Sequence, residues 1–544
     1  MLNRMRWLLG FCFLAMVPAV ALAQTDTASV SGRVTDASGA VIVGAQVQAT
    51  QIETNTTASG ETNGEGLYAF TNLRSGTYRL SVSKAGFKTI TKVGLILHVQ
   101  DSVEQDFTLP LGSVSEAVTV TATAVHAETE NTQMGEVIEG SSIRAVPLVS
   151  RSYTDLLALQ PGVSNTTSQL TGAYQGQFES AGFALPLISG DENSGALSVN
   201  GMREAGNGFV LNGATVGEAG FGGTAAIPNL DSIAEFRILT NNFDAEYGNY
   251  SGGQINVITK SGTNAFHGSL FEFVRNSDFD SRGFFDPTRG AYHQNQFGGT
   301  FGGPIKRSKV FFFADYQANR KVVGQSATIP GLPSPAELGG NLSDRSSLMT
   351  GSIDGPYFAQ VLNQRMGLPA NTLSAKEPYF FSGCTTQSQC VFPGAVIPTA
   401  AFDPVASKIL ALNIFPTATA GCTVTGCTFS TTAYPQVLTD SKGSGRVDAH
   451  THWGNIAGYY YVDDYTLNDP YWLAPLPLLP GFNVLNTGKT ELVNVGDTKV
   501  VGPSAVNEIR LEYVRLAPTI NKPSGGTGVP ECPGVRDGGG DTGN

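Results

Sequence analysis

The stretch that decides the fold of this chain is "NNFDAEYGNYSGGQINVITKSGTNAFHGSLFEFVRN", residues 241–276. Its glycines and Lys260 suggest a phosphate-binding loop, but that loop needs glycine directly before the lysine, and Thr259 stands there. A nucleophile elbow around Ser251 would need glycine two residues earlier, where the sequence has asparagine. Alternating phenylalanines follow instead of a helical pattern. The stretch is therefore predicted to join two parts of a larger β-rich protein.

Downstream of Phe266 the sequence alternates apolar and polar residues in long runs. In "NEIRLEYVRL", Ile509, Leu511 and Tyr513 lie on one face and charged residues on the other. An apolar outer face and a polar inner face are typical of an outer-membrane β-barrel. The predicted strands lie near 266–276, 293–303, 310–320, 441–452, 456–464, 489–500 and 506–516.

The connections between these strands alternate in length, which predicts short periplasmic turns and long external loops. The segment from about 321 to 440 is predicted to be one large external loop of a barrel region spanning 263–544. Seven strands is an odd number, whereas single-chain bacterial barrels have an even one. Together with the final residues "RDGGGDTGN", this leads us to expect an incomplete barrel, the N-terminal part of a longer protein.

Four cysteines form two close pairs within the predicted loop, Cys384 with Cys390 and Cys422 with Cys427. Neither spacing is C-x-x-C and no histidine lies near, so no metal site is expected. In an oxidising compartment two local disulfides are predicted, with free thiols as the alternative. Cys532 is left over.

The first residues, "MLNRMRWLLGFCFLAMVPAVALA", place two arginines before an apolar run that ends in "ALA". This pattern is typical of a cleaved secretory signal peptide, here residues 1–23. No later segment offers about 18 consecutive apolar residues, so no transmembrane helix is predicted. Any membrane span must then be a β-barrel. The net charge of −12 and the absence of a basic run exclude nucleic acid as a partner.

Residues 24–112 are predicted to form an all-β sandwich, because short alternating strands recur about every ten residues. The segments "SGRVTDASGAVIVGAQV", "GLYAFTNLRSGTYRLSV" and "DFTL" resemble the carboxypeptidase regulatory-like domain, a transthyretin-like sandwich. That domain is an appendage of metallocarboxypeptidases rather than their catalytic part. The chain has no H-x-x-E pair for zinc, so a secreted peptidase would require a catalytic domain that the sequence does not show.

Residues 126–262 alternate polar loops with short apolar runs, which predicts a small mixed α/β domain with a helix at 153–159. From "LSVNG" through "FVLNGATV" and the opening stretch to "FGGTFGGPIKRSKVFFFADYQ", the chain resembles the Oar-like group of TonB-dependent outer-membrane receptors. In this family a plug domain ends at a sequence like "GGQINVITKSGTN", and the first barrel strand follows. The resemblance thus implies that residues 126–262 are a plug and that the opening stretch is the plug-to-barrel junction.

The run "SEAVTVTATA" lies in the predicted linker, residues 113–125. Alternating valine and threonine favour an edge strand. The resemblance implies more, a TonB box that TonB would capture by strand addition, using energy from the inner membrane. The implied box is Glu116, Ala117, Val118, Thr119, Val120, Thr121 and Ala122.

Charged residues of a plug need partners inside a polar barrel lumen. Glu235 and Arg237, which flank an apolar residue in "AEFRIL", are predicted to pair with barrel-wall charges, with ordinary solvated strand charges as the alternative. His450 and His452 share a strand face, where a lumen-facing polar pair is favoured over a metal site. We find no catalytic constellation and expect no cofactor.

Two functions follow from this reading. The first is energy-coupled import through the outer membrane, with TonB and its inner-membrane complex as periplasmic partners, lipid around the barrel, and an unidentified extracellular ligand. The resemblance suggests an oligosaccharide, a peptide or a metal chelate. The second is a structural or adhesive outer-membrane protein without transport. Deletion of residues 116–122 separates them, because transport should vanish while surface binding survives.

Overall fold

The computed structural model places most of the chain outside the signal sequence. The described residues are 27–113, 117–121, 133–146, 148, 151–165, 195–217, 223–243, 250–282, 289–412, 415, 420–423, 426–469, 482–501, 505–520 and 524–525. The predicted signal peptide, Glu116, Ala122 and Cys532 lie outside these ranges.

The N-terminal region is a sandwich of two sheets. Its strands are β1 (Ala28–Asp36), β2 (Gln46–Gln51), β3 (Thr57–Glu61), β4 (Leu67–Leu73), β5 (Gly76–Ser83), β6 (Thr89–Leu97), β7 (Ser102–Glu104), β8 (Phe107–Leu109) and β9 (Ala117–Thr121). One sheet has the strand order β4-β1-β7, with β8 also paired to β1, and the other has the order β3-β2-β5-β6-β9. Burial alternates along the strands, so that Val30, Val34 and Leu80 lie in a shared apolar core.

The second region, which we call the plug, is a mixed sheet with two short helices. Its elements are β10 (Met134–Glu139), α1 (Gly140–Ala145), α2 (Tyr153–Leu157), β11 (Val163–Asn165), β12 (Leu197–Val199), β13 (Gly208–Leu211), β14 (Ala214–Thr215), β15 (Ile233–Asn241) and β16 (Gln254–Thr259). The sheet order is β10-β15-β16-β13-β14, and β11 and β12 form a separate pair. A helix is present where one was predicted at 153–159 but ends at Leu157, and the Ser152 side chain caps it by accepting a hydrogen bond from the Thr154 amide.

The third region is a long antiparallel sheet. Its long strands are β17 (His267–Asn276), β18 (Tyr292–Lys306), β19 (Val310–Leu332), β21 (Gly426–His450), β22 (Asn455–Asp469), β23 (Phe482–Val501) and β24 (Ala505–Ile520), in the order β17-β18-β19-β21-β22-β23-β24. Two short strands, β20 (Ala420–Thr423) and β25 (Ser524–Gly525), pair with β21 and β23. The mainly β fold class is confirmed, and each of the seven predicted strands coincides with one of the long strands.

The polar inner face of this sheet holds the plug. Gln317, Lys442 and Asp448 are buried, while Tyr316 and Leu511 on the opposite face are exposed. Tyr459, Tyr461 and Leu492 of the sheet belong to the same apolar cluster as the plug core. This alternation is the one expected for a lumen-facing and a lipid-facing surface.

The predicted loop at 321–440 is too long at both ends. β19 continues to Leu332 and β21 begins at Gly426, and the two strands pair along most of this extension. The long connection between β19 and β21, which we call the external connection after its predicted position, is therefore 333–425. The extension was not predicted because apolar and polar residues no longer alternate there, although the backbone pairing of the two strands continues.

The external connection has its own small core, which includes Ile353, Leu373 and Val391. Both predicted disulfides are present: Cys384–Cys390 lies within the connection, and Cys422–Cys427 joins β20, at its end, to the start of β21. None of the helices in the described ranges is long and apolar enough to cross a membrane. The helices of this connection are α3 (Pro335–Leu338), α4 (Pro356–Arg365) and α5 (Pro404–Ala411).

Candidate functional site

The predicted TonB box forms the last strand of the five-stranded sandwich sheet. Its described part, Ala117–Thr121, is β9, which runs parallel to β6. The register pairs Thr89 with Ala117, Thr91 with Thr119 and Val93 with Thr121. The edge strand expected from the Val-Thr alternation is therefore present, and the strand beside it belongs to the sandwich.

The described side chains of β9, those of residues 118–120, contribute little burial. Val118 is 39% exposed and Val120 is 47% exposed, although these two valines share one face of the strand. Thr119, on the other face, is exposed as well. Backbone pairing with β6 therefore supplies most of what holds β9 in place.

Glu235 of plug strand β15 contacts the sandwich. Its Oε1 accepts a hydrogen bond of 2.7 Å from the Val99 amide, and its Oε2 lies 2.9 Å from Nδ1 of His98. The predicted barrel-wall partner of Glu235 is wrong. The loop after β6 occupies this side of the plug sheet, and a sequence pattern does not reveal which neighbouring domain covers a strand.

Arg237, on the same face of β15, binds the same loop. Its Nη1 donates hydrogen bonds to the Val99 carbonyl and to Oδ1 of Asp101, and each donor–acceptor distance is 3.0 Å. Asp101 also accepts a hydrogen bond from the His98 amide. Glu235, Arg237 and Asp101 are all less than one tenth exposed. We call this cluster, Glu235 and Arg237 with residues 98–101, the sandwich–plug clasp.

The clasp changes the titration of His98. The hydrogen bond to Glu235 raises the pKa of the imidazole, burial opposes this, and the charges of Glu235, Asp101 and Glu139 add to the increase. His98 therefore keeps its proton at a higher pH than a free histidine does. The protonated ring adds a charge-assisted contact to a carboxylate that is almost fully buried.

A second cluster joins all three regions on one carboxylate, Asp448 of β21. Arg74 of the sandwich approaches Oδ1 to 2.6 Å, and Arg446 of the same barrel strand approaches Oδ2 to 3.0 Å. Ser261, at the plug-to-barrel junction, donates a hydrogen bond of 2.5 Å to Oδ2. Asp448 is fully buried. We call this cluster the three-way junction.

The three-way junction continues into the plug through Arg446. Its Nη1 donates hydrogen bonds to the Thr259 carbonyl, at 2.9 Å, and to Oδ1 of Asn212, at 3.1 Å. Asn212 and Gly213 have positive φ and form the tight turn between β13 and β14. The turn presents the Asn212 carbonyl to Arg510 and to Asn494, whose Nδ2 lies 2.8 Å away.

Further polar contacts connect the plug to the inner face of the barrel sheet. Asp315 of β19 accepts from the Asn229 side chain of the plug and from Ser444. The hydroxyl of Tyr461 donates to the Ile227 carbonyl over 3.0 Å. The plug is thus held by hydrogen bonds as well as by the shared apolar cluster.

A cation of the plug lies against the first barrel strand. The guanidinium carbon of Arg151 lies 3.9 Å from the Phe273 ring centroid and 4.7 Å from that of Phe271, within the range of cation–π attraction. Arg151 also forms an ion pair with Asp231. Burial lowers the pKa of Lys260 to about 8, and its Nζ donates to the Asp231 carbonyl.

A cavity of about 330 Å³ lies where the sandwich, plug and barrel meet. Lys260, His267, His450 and Arg446 line it. His450 Nδ1 lies 2.8 Å from Oδ1 of Asn455. His452, predicted to share a strand face with it, lies beyond the end of β21 and is exposed. Within the described ranges, no three His, Cys, Asp or Glu side chains are grouped as a metal site would require.

Sequence reasoning missed His98, Asp448 and Ser261. The Asn-Gly pair at 212–213 was the one available signal, because this dipeptide predicts a tight hairpin turn. No local sequence pattern identifies a histidine or serine whose hydrogen-bond partner lies more than a hundred residues away. The charged residues of a strand indicate that partners exist without identifying them.

Two families match parts of this sequence. The family described as "Outer membrane beta barrel domain" matches residues 258–544. The "Carboxypeptidase regulatory-like domain" matches residues 29–110.

The TonB-dependent transporter Oar from Myxococcus xanthus is 25% identical over 271 residues. These residues make up 47% of this chain and 23% of the relative, so the match spans less than a quarter of the relative's length. Among solved structures, the siderophore receptor PirA from Acinetobacter baumannii is 12% identical, with 70% of this chain and 47% of that chain covered and a TM-score of 0.32. The outer membrane transporter YddB from Escherichia coli is 10% identical, with 70% and 48% covered and a TM-score of 0.31.

Proposed function

This chain belongs to the outer membrane beta barrel domain family and lies in the outer membrane, and from that premise we propose that it imports a large or scarce ligand by TonB-dependent movement of its plug. The observation that carries the proposal is the strand Ala117–Thr121, exposed at residues 118–120, at the sandwich edge on the chain segment that leads into the plug. An extended segment with unused backbone groups is what strand addition by a partner requires. The domain division predicted from the sequence is part of this proposal.

A pull on this segment would act directly on the plug, because the two are joined by a short stretch of chain. Residues 122–132 connect it to β10, the edge strand of the plug sheet, which pairs with β15 from Met134 to Glu139. Force on the segment therefore loads the β10–β15 ladder first. Because β10 is a sheet edge, it can leave without disturbing the β15–β16 pairing at the centre of the plug.

The contacts between plug and barrel suit a plug that moves. Hydrogen bonds join Asn229 with Asp315, Ile227 with Tyr461, and Asn212 with Arg446. When the plug shifts, water can form hydrogen bonds with the same groups. A hydrogen bond contributes a net free energy of about 0.5–1.5 kcal/mol between neutral groups and about 1.5–3 kcal/mol where one group is charged, as at Asp315 and Arg446. The plug is thereby positioned without being permanently fixed.

The ligand would meet the external connection 333–425 and the outer end of the plug. Tyr357 and Phe358 of this connection are exposed and form an edge-to-face pair with centroids 5.4 Å apart. Exposed aromatic rings are common anchors for sugars, peptides and chelates, the ligand classes suggested by the sequence resemblance.

The deciding experiment compares the full chain, expressed in cells that contain TonB, with a variant lacking residues 116–122. Both are tested with the candidate ligand classes in labelled form. We expect surface binding to be equal and accumulation inside the cell to be lost in the deletion variant. A variant in which residues 116–122 are replaced by seven glycines and serines serves as the length control, and it should lose accumulation like the deletion variant. Equal accumulation by deletion variant and full chain would refute TonB coupling, and surface binding without any accumulation would favour an adhesive role.

A further inference from the structure

We propose that the edge of β6 is a reversible binding site for the chain's own TonB box, and that TonB engages the box only after it leaves this edge. The inference rests on the proposed function and adds a task for the sandwich. The sandwich would control how much of the box is available to TonB.

The first observation is that the box is already seated as a strand. Five consecutive residues, Ala117–Thr121, pair in unbroken parallel register with Thr89–Val93 of β6. This is the same kind of contact, strand against strand, that a partner protein would make with the box. A partner approaching the β6-facing side of the box must therefore replace β6.

The second observation is that β9 is held weakly enough to leave. Val118, Thr119 and Val120 are all exposed, so its departure uncovers little apolar surface. The buried core of the sandwich includes side chains of β1, β2, β5 and β6 but none from residues 118–120. The backbone ladder to β6 is therefore the main contact that must break.

The third observation is that β6 itself is fixed. On its other side it pairs with β5 from Gly76 to Val82, and its final residue, Leu97, is fully buried. The clasp that follows at 98–101 ties this end to the plug. The β6 edge therefore stays in place when β9 leaves, and it remains ready to receive β9 again.

The box is also tethered close to its site. Gly112 donates a backbone hydrogen bond of 3.1 Å to Gly86, three residues before β6 begins, and only residues 113–116 separate this anchor from β9. A short tether gives an effective concentration of about millimolar or higher. Rebinding to β6 thus competes with TonB. The smaller the undocked fraction of the box, the weaker the apparent affinity of TonB for the chain.

The test is a disulfide that locks β9 onto β6. Thr91 and Thr119 are register partners, and adjacent strands lie about 4.8 Å apart, within reach of a disulfide. The variant T91C/T119C is made in the full chain with Cys532→Ser, so that the leftover thiol cannot interfere. Its matched control is S81C/T91C, which uses the register pair Ser81 and Thr91 to lock β6 onto β5 and leaves β9 free.

Binding of the purified C-terminal domain of TonB to each chain in detergent micelles is measured before and after reduction. We expect oxidised T91C/T119C to bind at least about tenfold more weakly than its own reduced form, because locking removes the undocked fraction. Oxidised and reduced S81C/T91C should bind alike. The Cys532→Ser parent, measured with and without reductant, accounts for any effect of reducing the two native disulfides.

Three outcomes would overturn the inference. Equal binding by the oxidised and reduced T91C/T119C chains would mean that TonB adds to the outer side of a docked box. Failure of the two cysteines to cross-link would mean that β9 does not occupy the β6 edge. Absence of TonB binding by the parent chain would refute the proposed function together with this inference, whereas the first two outcomes leave the proposed function intact.

Discussion

The sandwich makes two contacts of opposite character within a few residues of each other. The clasp buries charged side chains, Glu235 and Arg237, against the loop that follows β6. The ladder between β6 and β9 uses backbone groups and leaves its valines exposed. Buried charges are costly to separate from their partners, whereas an exposed edge strand is not. One sandwich can therefore be anchored to the plug and still release a strand.

The largest expected effect comes from breaking the clasp. Arg237→Met removes the cation and leaves Asp101 buried beside the Val99 carbonyl, so we expect the opening free energy of β15 to fall by about 3–5 kcal/mol. Amide hydrogen exchange on the full chain in micelles measures this quantity. Arg79→Met, on an exposed position of β5, should change it by less than about 0.5 kcal/mol. A similar response to both substitutions would show that the clasp is not the anchor.

The next effect is a pH dependence of the clasp. Because the pKa of His98 is raised in the folded chain, its stabilisation is complete below the ordinary histidine value of 6.5 and is lost as pH rises through the raised value. The facing groups are Glu235, Asp101 and Glu139. We expect the exchange protection of β15 to decline with pH across this window. His98→Gln should flatten the decline, and an unchanged slope in that variant would assign it to another group.

The smallest effect is expected at the exposed strand. Val118→Ser should change the opening free energy of β6 by less than about 0.5 kcal/mol, because the side chain is already partly in water. Val82→Ser, in the buried core of the adjacent β5, should cost several times more. Hydrogen exchange at the β6 amides provides both values. A large loss from Val118→Ser would remove the contrast between the two contacts.

Much of the fold was predictable because strands carry a two-residue period. The face of β24 that exposes Ile509, Leu511 and Tyr513 is the face that the alternation identifies. The helix at Tyr153 and the two disulfides followed from local patterns as well. Strand ends were less predictable. β19 and β21 continue beyond their alternating segments because backbone pairing extends a ladder that side chains no longer signal.

The partners of charged residues were not predictable. The sequence "AEFRIL" shows that Glu235 and Arg237 need partners, and the prediction placed those partners on the barrel wall. The structure provides His98, Val99 and Asp101, from a domain that precedes the plug in the chain. A lumen-facing strand and a domain-facing strand have the same composition, so only the three-dimensional arrangement distinguishes them. The functional assignment of residues 116–122 stays a prediction.

The three-way junction also has a consequence for the order of assembly. Arg74 and Asp448 are separated by 374 residues, and Ser261 and Asp448 by 187. The sandwich and plug can fold from their own residues, whereas Arg74 and Ser261 stay in water until β21 is in place. Contacts between such distant residues form late in folding, because the entropy of closing a long loop is lost before the contact is gained. Asp448 thus marks the moment at which the periplasmic and membrane parts of the chain become one assembled unit.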